Sequence, residues 1–424
     1  MKIVVAPDKF KDCLDAAAVA EAIAAGLRLF DSSIEIDLCP MADGGEGTVS
    51  ALVAATGGKI ITHKVTGPLP RMKVDAPIGL LGGEQTAVIE MASASGLALL
   101  DEDQRDPTRT TTYGTGELMR AAADLGAKKI ILGIGGSATV DGGVGAAQAW
   151  GERFTLISGQ GYSTDDRRLS GGDLQRLLRV EGNLSFIKNA LLLEDQSGER
   201  TKSRETAPRQ VPELRLDTRG IEFMVACDVG NPLLGPDGAA KIFGPQKGAT
   251  PEQVEALEEG LHRLVERTGC HEHANIPGAG AAGGLGFGML VFFGATLRPG
   301  IDIIIDATKL KDRLADADLC ITGEGKLDSQ TLGGKTVLGV ARICRELDVP
   351  CIALAGMIGE GADALLEEGV SAYHAIADGP MSLEHSMQNA AELLTKAAAN
   401  VLRTNLAHRQ TRWPWDGDEG DAEE

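Results

Sequence analysis

The sequence predicts an α/β protein in which a doubly wound parallel sheet is interrupted by a second, mixed α/β domain. Three observations carry that prediction. Strand-length apolar runs alternate with helix-length amphipathic stretches at both ends of the chain. In the middle, strand-like runs follow one another with no helix between them. Glycines cluster with acids where predicted strands end, at 42–48, 133–145 and 322–328, and a further glycine cluster lies at 277–288.

Lys2–Ala6 reads as the first strand and runs into PDKFKDCLD. Asp15 is the expected N-cap of a helix with Val19, Ile23, Leu27 and Phe30 on one face. A second strand, Glu35–Leu38, ends in CPMADGGEGT, and a short helix follows with Gly57 as its stop. Lys59–Val65, Val74–Ile78 and Thr86–Met91 are then strand-like, and TTTYGTGELMRAAADLG supplies a helix.

The stretch Ile130–Gly145 is the centre of the reading. Lys129–Leu132 is an apolar strand that breaks into Gly133, Gly135, Gly136 and Ser137 before a small-residue helix. Such a break leaves N–H groups in front of a helix dipole, a setting for phosphate or carboxylate. A tight turn needing φ > 0 is the structural alternative.

Residues 158–220 are polar and poorly periodic, and 180–212 reads as a surface insertion. Ile221–Ala226 is a strand ending in CDVGNPLLGPDG, and PEQVEALEEGLHRLVERTG is a helix begun at Thr250-Pro251 and stopped by Gly269. After Gly300 come strand Leu319–Thr322, helix Lys335–Leu347, strand Cys351–Leu354, helix Ala362–Glu368, strand Tyr373–Ile376 and helix Ser382–Leu402. The expected domains are therefore 1–60 with 297–405, an inserted domain at 61–296, and a disordered acidic tail at 406–424. Ligands of a doubly wound sheet sit beyond the carboxyl ends of its strands, here PDKFK, MADGGEG, TGEGKLD, AGMIGEG and ADGP.

Composition narrows the partners. A net charge of −20 over 424 residues argues against nonspecific binding to nucleic acid or anionic membrane. A small anionic substrate needs only a local positive pocket. Seven scattered cysteines without a CxxC pair read as reduced core thiols in a cytoplasmic protein. MKIVVAPDKF enters a strand directly and lacks the apolar stretch of a signal peptide, and Phe287–Leu297 is too short to span a bilayer.

Clustered glycines with Lys9, Lys11, Lys247, Lys326 and Lys335 suggest phosphate handling. Asp8, Asp43, Asp141, Asp228, Glu324 and Asp328 are the acids that would hold Mg²⁺ or take a proton. LGGKT (332–336) fails as a Walker loop because Ser329 stands at the first glycine. GAGAAG (278–283) has no strand before it, and GIGGSA (133–138) lacks the acid of a clear dinucleotide fold, so an NAD-dependent oxidoreductase is the competing enzyme class. Cys270, His271 and His273 lack a second ligand pair and read as a helix end. A non-catalytic small-molecule sensor is the third reading.

PDKFK (7–11), PMADGGEGT (40–48), RDPTRTTTYGTGEL (105–118), GGSATVDGG (135–143), VACDVGNPLLGPDGAAKIFGPQKGAT (225–250), PGAGAAGGLGFG (277–288), LRPGID (297–302) and ITGEGKLDSQT (321–331) resemble the signature blocks of the bacterial class I glycerate kinases. They recur in order over residues 1–400. The resemblance implies a flavodoxin-like domain interrupted by a second α/β domain, and transfer of the ATP γ-phosphoryl group to D-glycerate with Mg²⁺, 2-phosphoglycerate being favoured over 3-phosphoglycerate. The chain departs from the family at Asp12-Cys13 (usually Gly-Ser), Val140 (usually Asn) and Gly230 (usually Asp or Asn).

With that chemistry in view, Lys9 and Lys11 are expected to hold the substrate carboxylate, with Asp8 and Asn231 beside it. Gly135, Gly136, Ser137, Gly325 and Lys326 are expected at phosphate. Asp43 and Glu324 are the metal candidates. Lys247 is expected at the transferring phosphoryl group, with capping of its own loop as the alternative. Asp228 is read as the base, with Mg²⁺ binding or an Asx turn as the other two readings.

Overall fold

The computed structural model describes residues 1–83, 85–158, 161–164, 168–181, 218, 220–333 and 336–406. Most of the expected insertion (182–212), nearly all of the expected tail (407–424) and Lys335 lie outside them. The chain divides into two compact units, Met1–Ala42 with the chain from Ile305 onward, and Asp43–Ile304.

The first unit is built on five parallel strands. Their order is Ala372–Ala375, Cys351–Ile358, Leu319–Leu327, Lys2–Val5, Glu35–Leu38. Numbered along the unit this is 2-1-3-4-5 read from the other edge, the flavodoxin-like doubly wound order. Its direction reverses between Lys2–Val5 and Leu319–Leu327, where Ile3 faces Leu319. The helix Ala16–Phe30 starts where Asp15 accepts from Ala18 N at 2.8 Å, a cap worth about 1 kcal/mol. It packs on the last helix, Ala390–Leu406, so closely that a Cβ on Gly26 would lie 2.1 Å from the Thr395 carbonyl oxygen.

Two strands outrun the sequence reading. Leu319–Leu327 carries straight through Gly323-Glu324-Gly325, and Cys351–Ile358 carries through Gly356. The two pair in register from Cys320↔Cys351 to Leu327↔Ile358, so mutual hydrogen bonding outweighs the low strand propensity of glycine. The expected helix at 362–368 is a 3₁₀ turn, Ala362–Leu366. The expected helix at 382–402 is two helices, Leu383–Gln388 and Ala390–Leu406, broken at Asn389, whose side chain donates to the His385 carbonyl at 2.8 Å.

The second unit holds a six-stranded mixed sheet in the order Thr296–Arg298, Glu222–Ala226, Lys129–Gly133, Thr86–Glu90, Lys73–Leu80, Lys59–Thr66. The first four strands are parallel and the last two antiparallel. A separate antiparallel sheet comprises Gly161–Thr164, Arg153–Ser158 and Leu177–Glu181. The helix Thr48–Thr56 belongs to this unit: Val49 N donates to Glu90 Oε1 at 2.8 Å, and Val49 and Val53 fill the space over Gly79. Trp150, Phe223 and Phe293 meet edge-on or tilted in the core, with centroids 5.3–5.7 Å apart. Pro251–Thr268 begins in a Thr250–Gln253 capping box and ends at Gly269 in the left-handed region.

Candidate active site

In the second unit the parallel strands Lys129–Gly133 and Glu222–Ala226 deliver their carboxyl ends to a cavity of about 380 Å³. Its lining includes Asp43–Gly45, Ile134–Ser137, Asp228, Phe243 and Lys247. Backbones pack tightly below it. A Cβ on Gly133 would sit 2.6 Å from the Gly44 carbonyl oxygen, and one on Gly300 would sit 2.0 Å from that of Asp43.

The glycine loop is pinned from one side only. Leu97 N donates to Gly136 O, and Ala138 N donates to Ser95 O, both at 2.9 Å. Gly136 takes φ +71°. Among the described residues, the N–H groups of Gly135, Gly136 and Ser137 make no hydrogen bond. Three successive open donors beside a cavity form a nest for an anion.

No helix dipole stands directly behind this loop, contrary to the sequence reading. The helix begins only at Val144, and the fully buried Asp141, three residues before it, accepts from the N–H groups at its start. Asp141 accepts from Gly143 N (3.1 Å), Gly145 N (3.3 Å), Thr112 N and Thr112 Oγ1 (both 2.8 Å). Burial raises its pKa, and these four donors oppose that rise. All of its neighbours donate, so it is an anchor for two helix starts rather than a metal ligand or base.

Lys247 is the largest fully buried side chain near the cavity, 2% exposed. It ends a 3₁₀ turn, Pro245–Lys247, and the turn is closed by Gly248 at φ +92° against the Arg105 carbonyl. Its Nζ donates to Ser137 Oγ and to the Thr139 carbonyl, both at 2.7 Å. Burial lowers its pKa to about 7, and the Asp141 charge works against that fall. The lysine therefore braces the glycine loop from beneath and puts a titrating positive charge there.

Asp228 follows the strand Glu222–Ala226. Its Oδ1 accepts from Gly300 N at 2.8 Å, at the start of the helix Gly300–Thr308. The side chain is solvent-accessible by area, yet enough protein surrounds it for desolvation to raise its pKa. The Gly300 hydrogen bond lowers it, and the charges of Asp43 and Asp302 raise it further. Asp302 is an acid the sequence reading passed over. The signal was the Pro299-Gly300 helix start inside LRPGID, which places Asp302 in the first turn. Asn231 holds its own turn, with Nδ2 donating to the Asp237 carbonyl at 2.8 Å.

In the first unit a second group sits at the point where strand order reverses. Asp8, just past the first strand, accepts from Lys9 N at 2.7 Å and from the Thr336 hydroxyl. Glu324 accepts from the Thr331 hydroxyl. Both carboxylates are buried, 7% and 9% exposed, and together they tie down the turn after Leu327. Lys326 pairs with Asp328 at 2.7 Å, and Asp328 also accepts from Gln330 N. Gly325 packs against the backbone at Phe10–Lys11, with 3.3 Å between its Cβ position and Lys11 N. Lys9 is half-buried and Lys11 exposed. The sequence-predicted residues thus form two groups: Asp43, Gly135, Gly136, Ser137, Asp228 and Lys247 around the second unit's cavity, and Asp8, Lys9, Lys11, Glu324, Gly325 and Lys326 in the first unit.

The departures from the family pattern are accommodated locally. Asp12 has φ +59°, a conformation that suits the family's usual glycine. Cys13 donates to the Met387 carbonyl, Val140 is fully buried in the core, and open space surrounds Gly230.

Comparison with known proteins agrees with this architecture. The model of the glycerate kinase family matches residues 3–190 and 193–406. The glycerate kinase of Bacillus subtilis (strain 168) is 42% identical over 95% of this chain and 97% of its own. The glycerate 2-kinase of Escherichia coli (strain K12) is 38% identical over 95% of this chain and 98% of its own. A solved structure from Salmonella typhimurium LT2, described as a glycerate kinase 2, superposes with a TM-score of 0.80 at 42% identity, covering 97% of this chain and 99% of that one. The chain belongs to the glycerate kinase family.

Proposed function

We propose that the protein transfers the γ-phosphoryl group of ATP to the 2-hydroxyl of D-glycerate, giving ADP and 2-phosphoglycerate in the cytoplasm. The observation that carries the reading is the cavity where three open N–H donors, a buried lysine and two aspartates converge. Gly135, Gly136 and Ser137 receive phosphate oxygens, and Lys247 beneath them offsets the charge spread over the transferring group. The substrate hydroxyl attacks the γ-phosphorus, the bond to the β-phosphate oxygen breaks, and Asp228 accepts the hydroxyl proton. Its raised pKa suits that task. Lys9 and Lys11 hold the substrate carboxylate, with Asp8 and Asn231 as the supporting polar groups. Gly325 and Lys326 serve the nucleotide.

The donor set also fits Mg²⁺, a hard cation that takes one or two carboxylates together with phosphate oxygens and water. Asp43 lines the cavity beside Asp228 and is the carboxylate that would hold the cation there, leaving Asp228 as the base. Glu324 is the further candidate in the first unit. The cation would supply charge neutralisation at the β- and γ-phosphates.

The name of the Escherichia coli relative supports the 2-position. Enolase acts on 2-phosphoglycerate and needs a mutase before it can use the 3-isomer. Product that enolase dehydrates with no mutase present supports the assignment, and product that requires the mutase overturns it.

A further inference from the structure

Three thiols meet inside the first unit, away from everything the phosphoryl-transfer reading uses. Cys320 and Cys351 are register partners on adjacent parallel strands, so their side chains leave the same face of the sheet. Cys344 comes from the helix Thr336–Glu346, which packs on those two strands. The three Sγ atoms lie within 4.8 Å of one another, and all three side chains are fully buried. Cys320 and Cys351 sit at the amino ends of their strands and Cys344 near the carboxyl end of its helix, whereas Asp8 and Thr336 meet at the carboxyl end of the sheet.

The other four cysteines behave as ordinary core or loop thiols. Cys13, Cys227 and Cys270 donate to backbone carbonyls, and Cys39 to the Met41 sulfur. Cys320, Cys344 and Cys351 turn their sulfurs toward one another instead.

Metal–sulfur bonds of about 2.3 Å in a plane put sulfurs about 4 Å apart. The cluster is within 1 Å of that spacing. Among the described residues no imidazole or carboxylate joins the three sulfurs. Tetrahedral Zn²⁺ would therefore lack its fourth protein ligand. A soft monovalent d¹⁰ ion selects thiolates and is content with three. We propose that Cys320, Cys344 and Cys351 form a three-thiolate site for Cu(I). Each ligating thiol gives its proton to solvent as its bond to the metal forms. The turn Leu347–Pro350 is tied to the cluster residues, with Val349 N donating to Cys344 O and Cys320 N to Pro350 O.

The test is an anaerobic titration of the reduced, full-length protein with Cu(I) held by a chromophoric chelator, followed by X-ray absorption at the copper edge. The expected result is one ion per chain beyond what Cys344→Ala binds, with three sulfur neighbours and no nitrogen or oxygen. Kinase activity of Cys344→Ala stays at the wild-type level, which shows that the variant folds. Cys39→Ala, outside the cluster, binds copper as the wild type does. Should Cys344→Ala fail to fold, Cys320→Ala and the sulfur count on the wild type carry the test. Equal copper in wild type and cluster variants, copper on two sulfurs only, or no uptake before unfolding would each overturn the site.

Discussion

Lys247 is where stability and function pull apart, and replacing it with methionine separates them. Burial takes this lysine from an ordinary 10.5 to about 7. At about 1.4 kcal/mol per pH unit, holding the ammonium inside costs roughly 5 kcal/mol. Methionine of similar length removes that cost but leaves Ser137 Oγ and the Thr139 carbonyl without a donor, at about 1–3 kcal/mol each. Below pH 7 Lys247→Met should therefore be as stable as the wild type or a few kcal/mol more so. The sign with pH follows from the lowered pKa. Between about 7 and 10.5 the unfolded chain holds a proton that the folded chain has released, so wild-type stability rises with pH there and the variant's does not. Urea unfolding at pH 6, 7.5 and 9 should show the wild type gaining about 2 kcal/mol on the variant over the last step. Meanwhile kcat/KM should fall by about 10²–10³, the loss typical of one preorganised donor at a developing charge. A constant stability difference across that range, or a folded variant with wild-type turnover, would refute the reasoning.

Other perturbations separate the remaining roles. Asp228→Asn should lower kcat about a hundredfold or more while leaving ATP affinity nearly unchanged; a weakened Mg²⁺ dependence would move the residue to metal binding, and wild-type rates would leave it a cap on Gly300. Gly135 lies outside the left-handed region of φ, and a Cβ there would have 3.6 Å to its nearest neighbour, so Gly135→Val should unfold like the wild type yet lose about tenfold in ATP affinity by calorimetry. Gly136→Val carries a β-branched residue into φ +71° and should also lower the melting temperature. Asp141→Asn replaces one carboxylate oxygen with an NH2 group that faces the Gly143 N–H and removes the charge its other donors stabilise, and should cost about 3 kcal/mol or more in denaturant unfolding.

Local signals in the sequence proved readable. Asp15, Gly57, Thr250 and Gly269 cap or stop helices as their residue types predict, because a cap depends on atoms within four residues. The glycine loop after Lys129–Gly133 was visible for the same reason, since the break is written in one stretch. What supports that loop was not visible. Lys247 reaches Ser137 and Thr139 across 110 and 108 residues, and no local pattern encodes that contact. Glycine and acid in TGEGKLD read as a loop, and only the partner strand Cys351–Ile358 makes them a strand. Asp141 stood in the sequence among the acids that would hold Mg²⁺ or take a proton, and its four donors come from segments that only the fold brings together. Scattered positions likewise hid the convergence of Cys320, Cys344 and Cys351, which depends on strand register and on the face of one helix.

The central claim is that this chain moves phosphate from ATP to D-glycerate, and coupled ADP release measures it directly. Purified protein with ATP and Mg²⁺ is offered D-glycerate, L-glycerate and a panel of other small hydroxy acids. We predict ADP release that saturates with D-glycerate, matches the phosphoglycerate formed one for one, and falls to background without the acceptor. Binding of D-glycerate without ADP release would make the protein a sensor, and oxidation of a hydroxy acid with NADH formation would make it a dehydrogenase. Either result would contradict the account.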